Sequence, residues 1–397
     1  MEKVDQVRWK TLLEQFEKVY PGCPPHYLAR APGRVNIIGE HVDYSGYPVL
    51  PMAIERDVFI LLNVQQSDSP TCHVANLDPS FNSSSFPLTN SNLTIDQNEH
   101  SWLNYVKCGC KGILENTYQP IEKSVSIKML VHGTVPQSAG LSSSSALVCA
   151  SALATMLANS LTLTKTQIAE ICRGAEHYVG TMGGGMDQAI SFLAKRGFAS
   201  LISFHPLACQ PLRLPPDYVF FVSNSLVESS KVLTAETCFN MRVVECRIAA
   251  KLLAKLLKQD WNKVSILRNV QEAGNFSLEE MIQHTRDLLH PEPYTREEIA
   301  ALLGIAEGDL KDTAWIGPKI QSNRFYLHHR ALHVFLESKH VQDFANLCRQ
   351  PLADPEEVAR RLGGLMNESH WSCAQNYDCS CGDLDCLTGL CRGAGAL

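Results

Sequence analysis

The sequence predicts an α+β protein in two lobes, on three observations. Short extended stretches punctuated by turn residues fill positions 27 to 64, a stretch with apolar residues at every second position from 125 to 131 runs into a serine-rich loop, and helical patterns dominate from about 235 to 370. With 397 residues the chain exceeds what one core comfortably serves, so two domains are expected, drawn at 1–210 and 211–397.

Taken in order, Trp9, Leu12, Leu13, Phe16 and Val19 recur on one face at helical spacing and predict an amphipathic N-terminal helix. "HYLARAPGRV", "DYSGYPVLP" and "RDVFILLNV" read as strand, polar loop and strand. Residues 76–100, rich in Asn, Ser and Pro, read as surface connections. Val125, Ile127, Met129 and Val131 alternate as on a half-buried strand. Helices are expected from about 144 to 160, from about 165 to 179, and again after "GTMGGGMDQAI". "FASLISFHPL" and "YVFFVSNS" read as strands, and the Pro-rich stretch 204–218 between them as a domain junction. There is no repeat of fixed period.

Composition removes several function classes. Apolar residues make up 45% and charged residues 19%, which argues against global disorder. A net charge of -6 with scattered Lys and Arg provides no basic face for a nucleic-acid backbone. No uninterrupted apolar run of about 18 residues predicts a membrane span, and the N-terminus lacks a signal-peptide core. The fifteen cysteines are then read as buried thiols of a reducing, cytoplasmic environment, and the sequons at Asn82, Asn92, Asn275 and Asn367 as chance matches.

Three stretches carry candidate chemistry. In "GLSSSSALVCASAL", Gly140 precedes Leu141 and four serines at the start of a predicted helix, where unpaired N–H groups and the dipole favour an anion. It lacks the Walker pattern, and a well-capped helix explains the serines equally. In "APGRVNIIGEHVDYSGY", Arg34, Glu40, His41 and Asp43 crowd a glycine-punctuated loop suited to a polyhydroxylated ligand, or simply to surface ion pairs. In "MGGGMDQ", Asp187 follows three glycines, whose backbone cost implies unusual dihedrals or close packing; a carboxylate at a helix start is the alternative.

Together and in this order, "GRVNIIGEHVDYSGYPVLPMAI", "VPQSAGLSSSSAL" and "GGGMDQ" resemble the sugar signature, phosphate loop and catalytic-aspartate loop of the galactokinase branch of the GHMP kinase superfamily. The likeness continues through "HPEPYTREEIAALLG" and "LMNESHWSC". "MGGGMDQ", "FNMRVVECRIAAKLLAK" and "LHPEPY" resemble most the branch members that act on N-acetylgalactosamine. The resemblance implies a ribosomal S5 domain 2-like N-terminal lobe and a ferredoxin-like C-terminal lobe. It further implies a monomer that uses ATP and Mg²⁺ to phosphorylate the C1 hydroxyl of a galactose-type sugar. Carried onto this chain, Asp187 is the base or orienting group and Arg34 stabilises charge beside it. Glu40, His41, Asp43 and Gly185 contact sugar. Gly140, Leu141, Ser142, Ser143 and Ser144, with Ser230 and Lys231, border ATP, while Ser143 and Glu176 are near the metal. Phe239 stands where galactokinases carry a tyrosine, leaving room for a C2 acetamido group.

The resemblance also implies a third glycine-rich motif, which this sequence does not reach before "CLTGLCRGAGAL". The expectation is an incomplete second lobe with weakened ATP binding and stability. The leading expectation is N-acetylgalactosamine as substrate with galactose poorer; a kinase acting chiefly on galactose is the runner-up, and a catalytically silent sugar sensor a further alternative, disfavoured by the intact run Ser142 to Ser145. The late cysteines Cys373, Cys379, Cys381, Cys386 and Cys391 lack paired zinc spacing, and His329 and His333 are read as surface or packing residues.

Overall fold

The computed structural model describes residues 3–97, 99, 101–117, 121, 124–216, 218–228, 238–311, 320–350 and 354–396. They form two compact units. The first comprises residues 1–35, 53–181 and 187–193; the second comprises 36–52, 182–186 and 194–397. Where the sequence reading drew one boundary after residue 210, each unit is instead assembled from several stretches of chain. Two of the crossings fall inside the candidate motifs, between Val35 and Asn36 and between Met186 and Asp187.

The first unit is built on a five-stranded sheet of order β1-β2-β5-β3-β4, from β1 (Tyr27–Ile38), β2 (Leu50–Gln66), β3 (Thr71–Asn76), β4 (Ser84–Pro87) and β5 (Val125–Gly133). β5 pairs antiparallel with β2 and parallel with β3. This central position explains why its burial exceeds simple alternation: Ile127 and Met129 are buried on one face, but so is Leu130 on the other. Leu130 packs with Phe59, Leu61 and Ala75 under Leu12 and Phe16 of helix α1 (Lys3–Val19). Val19, expected on that apolar face, is exposed at the helix end. Residues 76–100 are also more than connections. Ser84–Pro87 pairs with β3, and Phe86, Leu88 and Leu93 are buried.

Helices α2 (Trp102–Asn116), α3 (Ser143–Ala158) and α4 (Lys165–Ala175) pack on one another through small residues. A Cβ on Gly109 of α2 would lie 2.5 Å from the Val148 carbonyl and 2.7 Å from the Ala152 nitrogen of α3. Backbones that close exclude a side chain. Thr164 and Gln167 form a capping box at the start of α4. Helix α5 (Met186–Leu193) follows the glycine triplet.

In the second unit, β6 (Ala199–Phe204) and β7 (Leu207–Leu212) form an antiparallel hairpin, so the Pro-rich stretch read as a junction supplies a strand of this unit. Residues 218–225, expected as a strand, carry no strand pairing, and Val219 and Phe221 are exposed. The rest of the unit is helical, with α6 (Asn240–Leu256), α7 (Leu267–Gly274), α8 (Leu278–Leu288), α9 (Arg296–Leu303), α10 (Glu307–Lys311), α11 (Leu327–Arg349), α12 (Pro355–Ser372) and α13 (Gly382–Gly393), of which α11 packs against β7. Val341, Phe344 and Leu347 of α11 join Ile38, Leu50 and Leu212 in the core. No helix among the described residues is long and apolar enough to cross a membrane.

Candidate active site

In the first unit the site grows from the contact between β1 and the serine loop. The Arg34 N–H donates to the Leu141 carbonyl at 3.1 Å. A Cβ on the neighbouring Gly33 would sit 2.7 Å from that same oxygen, so glycine is required there. Arg34 is buried; its Nη1 donates to the Gly140 carbonyl at 2.5 Å and its Nε to Asp187 Oδ1 at 2.7 Å. The second Asp187 oxygen accepts from Ser145 Oγ at 3.2 Å. One guanidinium thus joins loop and carboxylate, and the pair's side chains are only 7% and 11% exposed. The sequence reading did not single out Ser145, although it ends the serine run.

The serine loop does not cap its helix in the expected way. Ser142 is the N-cap of α3 but lies in the left-handed region at φ 59° and makes no side-chain cap bond. Its Oγ is buried without a hydrogen-bond partner. An L-residue held there with an orphaned hydroxyl carries a double cost, of about 1–2 kcal/mol for backbone and side chain each. At Gly140 the backbone conformation sets the requirement. A Cβ there meets no protein atom, and it is φ 71° that demands glycine. Ser143 and Ser144 start the helix beside it, with partly exposed side chains.

Glu176 ends α4, and its carboxylate charge, after burial, pushes up the pKa values of the Tyr105 hydroxyl and the Cys108 thiol. Among the described residues no group of three His, Cys, Asp or Glu side chains is placed to hold a metal ion. A hydroxyl and one carboxylate fit a magnesium ion that takes its remaining ligands from phosphate and water, not a protein cage.

In the second unit the loop after β1 holds Glu40, His41 and Asp43. His41 has φ 60° and its Nδ1 lies 3.1 Å from the Tyr44 hydroxyl. Asn36 Nδ2 donates to Glu40 Oε2 at 3.0 Å. Asp43 Oδ1 accepts the Tyr44 N–H and Oδ2 the Met186 N–H, at 2.9 and 3.2 Å. Two of the three glycines before Asp187 are now explained. A Cβ on Gly184 would overlap Asp43 and the Tyr44 nitrogen at 2.3–2.5 Å, and Gly185 has φ 114°. The Phe239 ring lies 5.8 Å from His41 and 6.2 Å from Tyr44. The Tyr377 ring lies 5.1 Å from His41, tilted by 30°, and its hydroxyl shares a 2.5 Å contact with that of Tyr44. Nothing in the spacing of "CAQNYD" marks Tyr377, because only tertiary packing brings it here. Ser230 and Lys231 lie outside the described residues.

The galactokinase galactose-binding signature matches residues 14–64, and the GHMP kinases N terminal domain matches residues 104–195. Over 407 residues the sequence is 42% identical to a galactokinase of Dictyostelium discoideum, covering 98% of this chain and 81% of that one. The chain belongs to the galactokinase family. A galactokinase of Candida albicans is 35% identical, with 93% of this chain and 78% of that protein covered. The crystal structure of Lactococcus lactis galactokinase complexed with galactose matches the fold with a TM-score of 0.72 at 21% identity, over 97% of this chain and 84% of that one. As a galactokinase-type sugar kinase the chain is a phosphotransferase of mixed α+β fold. Family membership makes ATP its phosphoryl donor.

Proposed function

We propose that this sugar kinase transfers the γ-phosphoryl group of ATP to the C1 hydroxyl of a galactose-type sugar, with N-acetylgalactosamine preferred to galactose. The buried Arg34–Asp187 pair, tied to a loop with an orphaned serine hydroxyl, carries the reading. Asp187 orients the C1 hydroxyl or takes its proton as that oxygen bonds to the γ-phosphorus and the bond to the β,γ-bridging oxygen breaks. Arg34 neutralises charge developing on the transferred group. Loop residues 140–144 hold phosphates at the N-terminus of the 16-residue helix α3. Ser143 and Glu176 would hold a magnesium ion, whose part is to neutralise phosphate charge.

Glu40, His41 and Asp43 pair with sugar hydroxyls, and Gly185 brings backbone close to the ring. Phe239 supports the acetamido preference, because it presents an apolar ring beside His41 and Tyr44 where a tyrosine would add a hydroxyl. A second reading, galactose as the main substrate, is favoured by relatives that are named galactokinases. Coupled ADP-release assays with N-acetylgalactosamine, galactose and mevalonate separate these. Greater kcat/KM with N-acetylgalactosamine is expected. Equal or better turnover with galactose selects the second reading, and turnover with mevalonate alone overturns both.

A further inference from the structure

Helix α11 holds the backbone of residues 39 and 40, in the candidate sugar loop, through both its N–H and its C=O groups. Glu337 is fully buried, and its Oε1 accepts the backbone N–H groups of Gly39 and Glu40 at 2.8 and 3.0 Å. One turn earlier on the same helix, His333 is also fully buried, with Nε2 lying 2.9 Å from the Glu40 carbonyl. An acceptor at that position assigns the proton to Nε2. His333 Nδ1 then accepts from the Ser372 hydroxyl at 2.9 Å, and Ser372 in turn accepts from Asn376 Nδ2 at 3.1 Å. The network closes on a neutral ring, consistent with burial lowering the His333 pKa.

The clamp is braced from a second helix. Ser369 Oγ donates to Glu337 Oε1 at 2.8 Å, so Ser369 and Ser372, three apart on α12, hold its two members. His340 Nδ1 lies 3.3 Å from the other Glu337 oxygen. Glu337 therefore spends one oxygen on three donors, two of them main-chain groups at the point where β1 becomes loop. A buried carboxylate placed so is costly unless fully paired, and its pairing fixes the peptide that orients Glu40 and His41.

We propose that Glu337 and His333 are positioning residues for sugar recognition. They set the direction of the Glu40 side chain through the N–H and C=O of its own residue, and they touch no substrate. This rests on the reading that Glu40 and His41 bind sugar. It also gives Ser369 and Ser372 of "LMNESHWSC", and the unexplained His333, a common purpose. On this account the loop geometry, and with it sugar affinity, depends on α11, while the phosphate loop does not.

The test is steady-state kinetics of the full chain with Glu337→Gln and His333→Gln, varying sugar and ATP separately. Weakening either hydrogen bond to the loop, charge-assisted at Glu337 and neutral at His333, is expected to raise sugar KM by roughly tenfold and leave ATP KM within about twofold. A role confined to stability would reduce the active fraction and hence kcat, with both KM values unchanged. That result, or a parallel rise of both KM values, overturns the proposal. Ser369→Ala, a milder change at the half-buried serine that braces the clamp, should shift sugar KM in the same direction by less, and an unchanged value in all three variants also refutes it. Wild-type protein without sugar-dependent ADP release would fail the underlying reading, which keeps the two failures distinct.

Discussion

Arg34 and Asp187 form an ion pair at 2.7 Å with both side chains largely removed from water. Breaking such a pair leaves an uncompensated charge and costs about 3–5 kcal/mol, whereas replacing both partners by apolar groups is nearly neutral. Arg34→Met should therefore lower the urea midpoint strongly, and adding Asp187→Leu should recover most of the loss without recovering any turnover. Recovery of turnover would show that the pair is structural. At the clamp, burial alone would raise Glu337, yet the His340 and Ser369 hydrogen bonds and the Gly39 N–H hold its pKa below 4.5. His333 is likewise held below 6.5, chiefly by burial. Both native values lie under the unfolded ones, so the unfolded chain binds more protons in acid. The stability each contributes is complete above its unfolded value and is lost as pH falls through the native one. Denaturation midpoints should thus fall below pH 6.5, and in Glu337→Gln the part of the loss below pH 4.5 should shrink. At this scale Arg34, Glu40, His41, Asp43 and Asp187 were all legible from glycine-punctuated motifs. Glu337, His333 and Tyr377 were not, because each sits on a helix whose sequence shows only packing periodicity and reaches the site through contacts hundreds of residues apart.

At the scale of elements, the serine loop and α3 separate two explanations that the sequence left open. If Ser142 capped the helix, Ser142→Ala would cost about 1 kcal/mol. With no cap bond and an orphaned hydroxyl, the substitution should leave the thermal midpoint unchanged or slightly higher while raising ATP KM. A clear loss of stability with unaltered ATP KM would restore the capping explanation. The glycine triplet makes an independent case. Gly184→Ala forces a Cβ into Asp43 and Tyr44, at a cost of about 1–3 kcal/mol if the loop repacks. Sugar KM should rise more than ATP KM, as competition-free initial rates would show. Most of the helices, and strands β1, β2, β5 and β6, follow from periodicity and turn chemistry. The short strand β4 hid inside a polar stretch because edge pairing needs few apolar residues, only Phe86 being buried there. Residues 218–225 misled for the opposite reason: an apolar run without a partner strand leaves Val219 and Phe221 exposed.

Over the whole molecule, the sequence reading named the fold class and family but drew a linear boundary, whereas the units are interleaved along the chain. Linear patterns carry local periodicity; they do not encode which distant stretches share a core, such as Ile38 and Leu50 with Phe344 and Leu347. The interleaving has a functional reading. Arg34 and Asp187 belong to the first unit, yet each follows or precedes by one or two residues a stretch of the second that carries Asn36, Glu40 or Gly185. With the roles proposed for these residues, phosphoryl chemistry and sugar recognition would be covalently adjacent twice along the chain. The central claim is that Asp187 serves the C1 hydroxyl in phosphoryl transfer. It is tested most directly by single-turnover phosphorylation of saturating N-acetylgalactosamine or galactose in Asp187→Ala against wild type, with sugar affinity measured alongside. The account predicts a rate lower by roughly 10² to 10⁴ with the sugar still bound; an unchanged rate would contradict it.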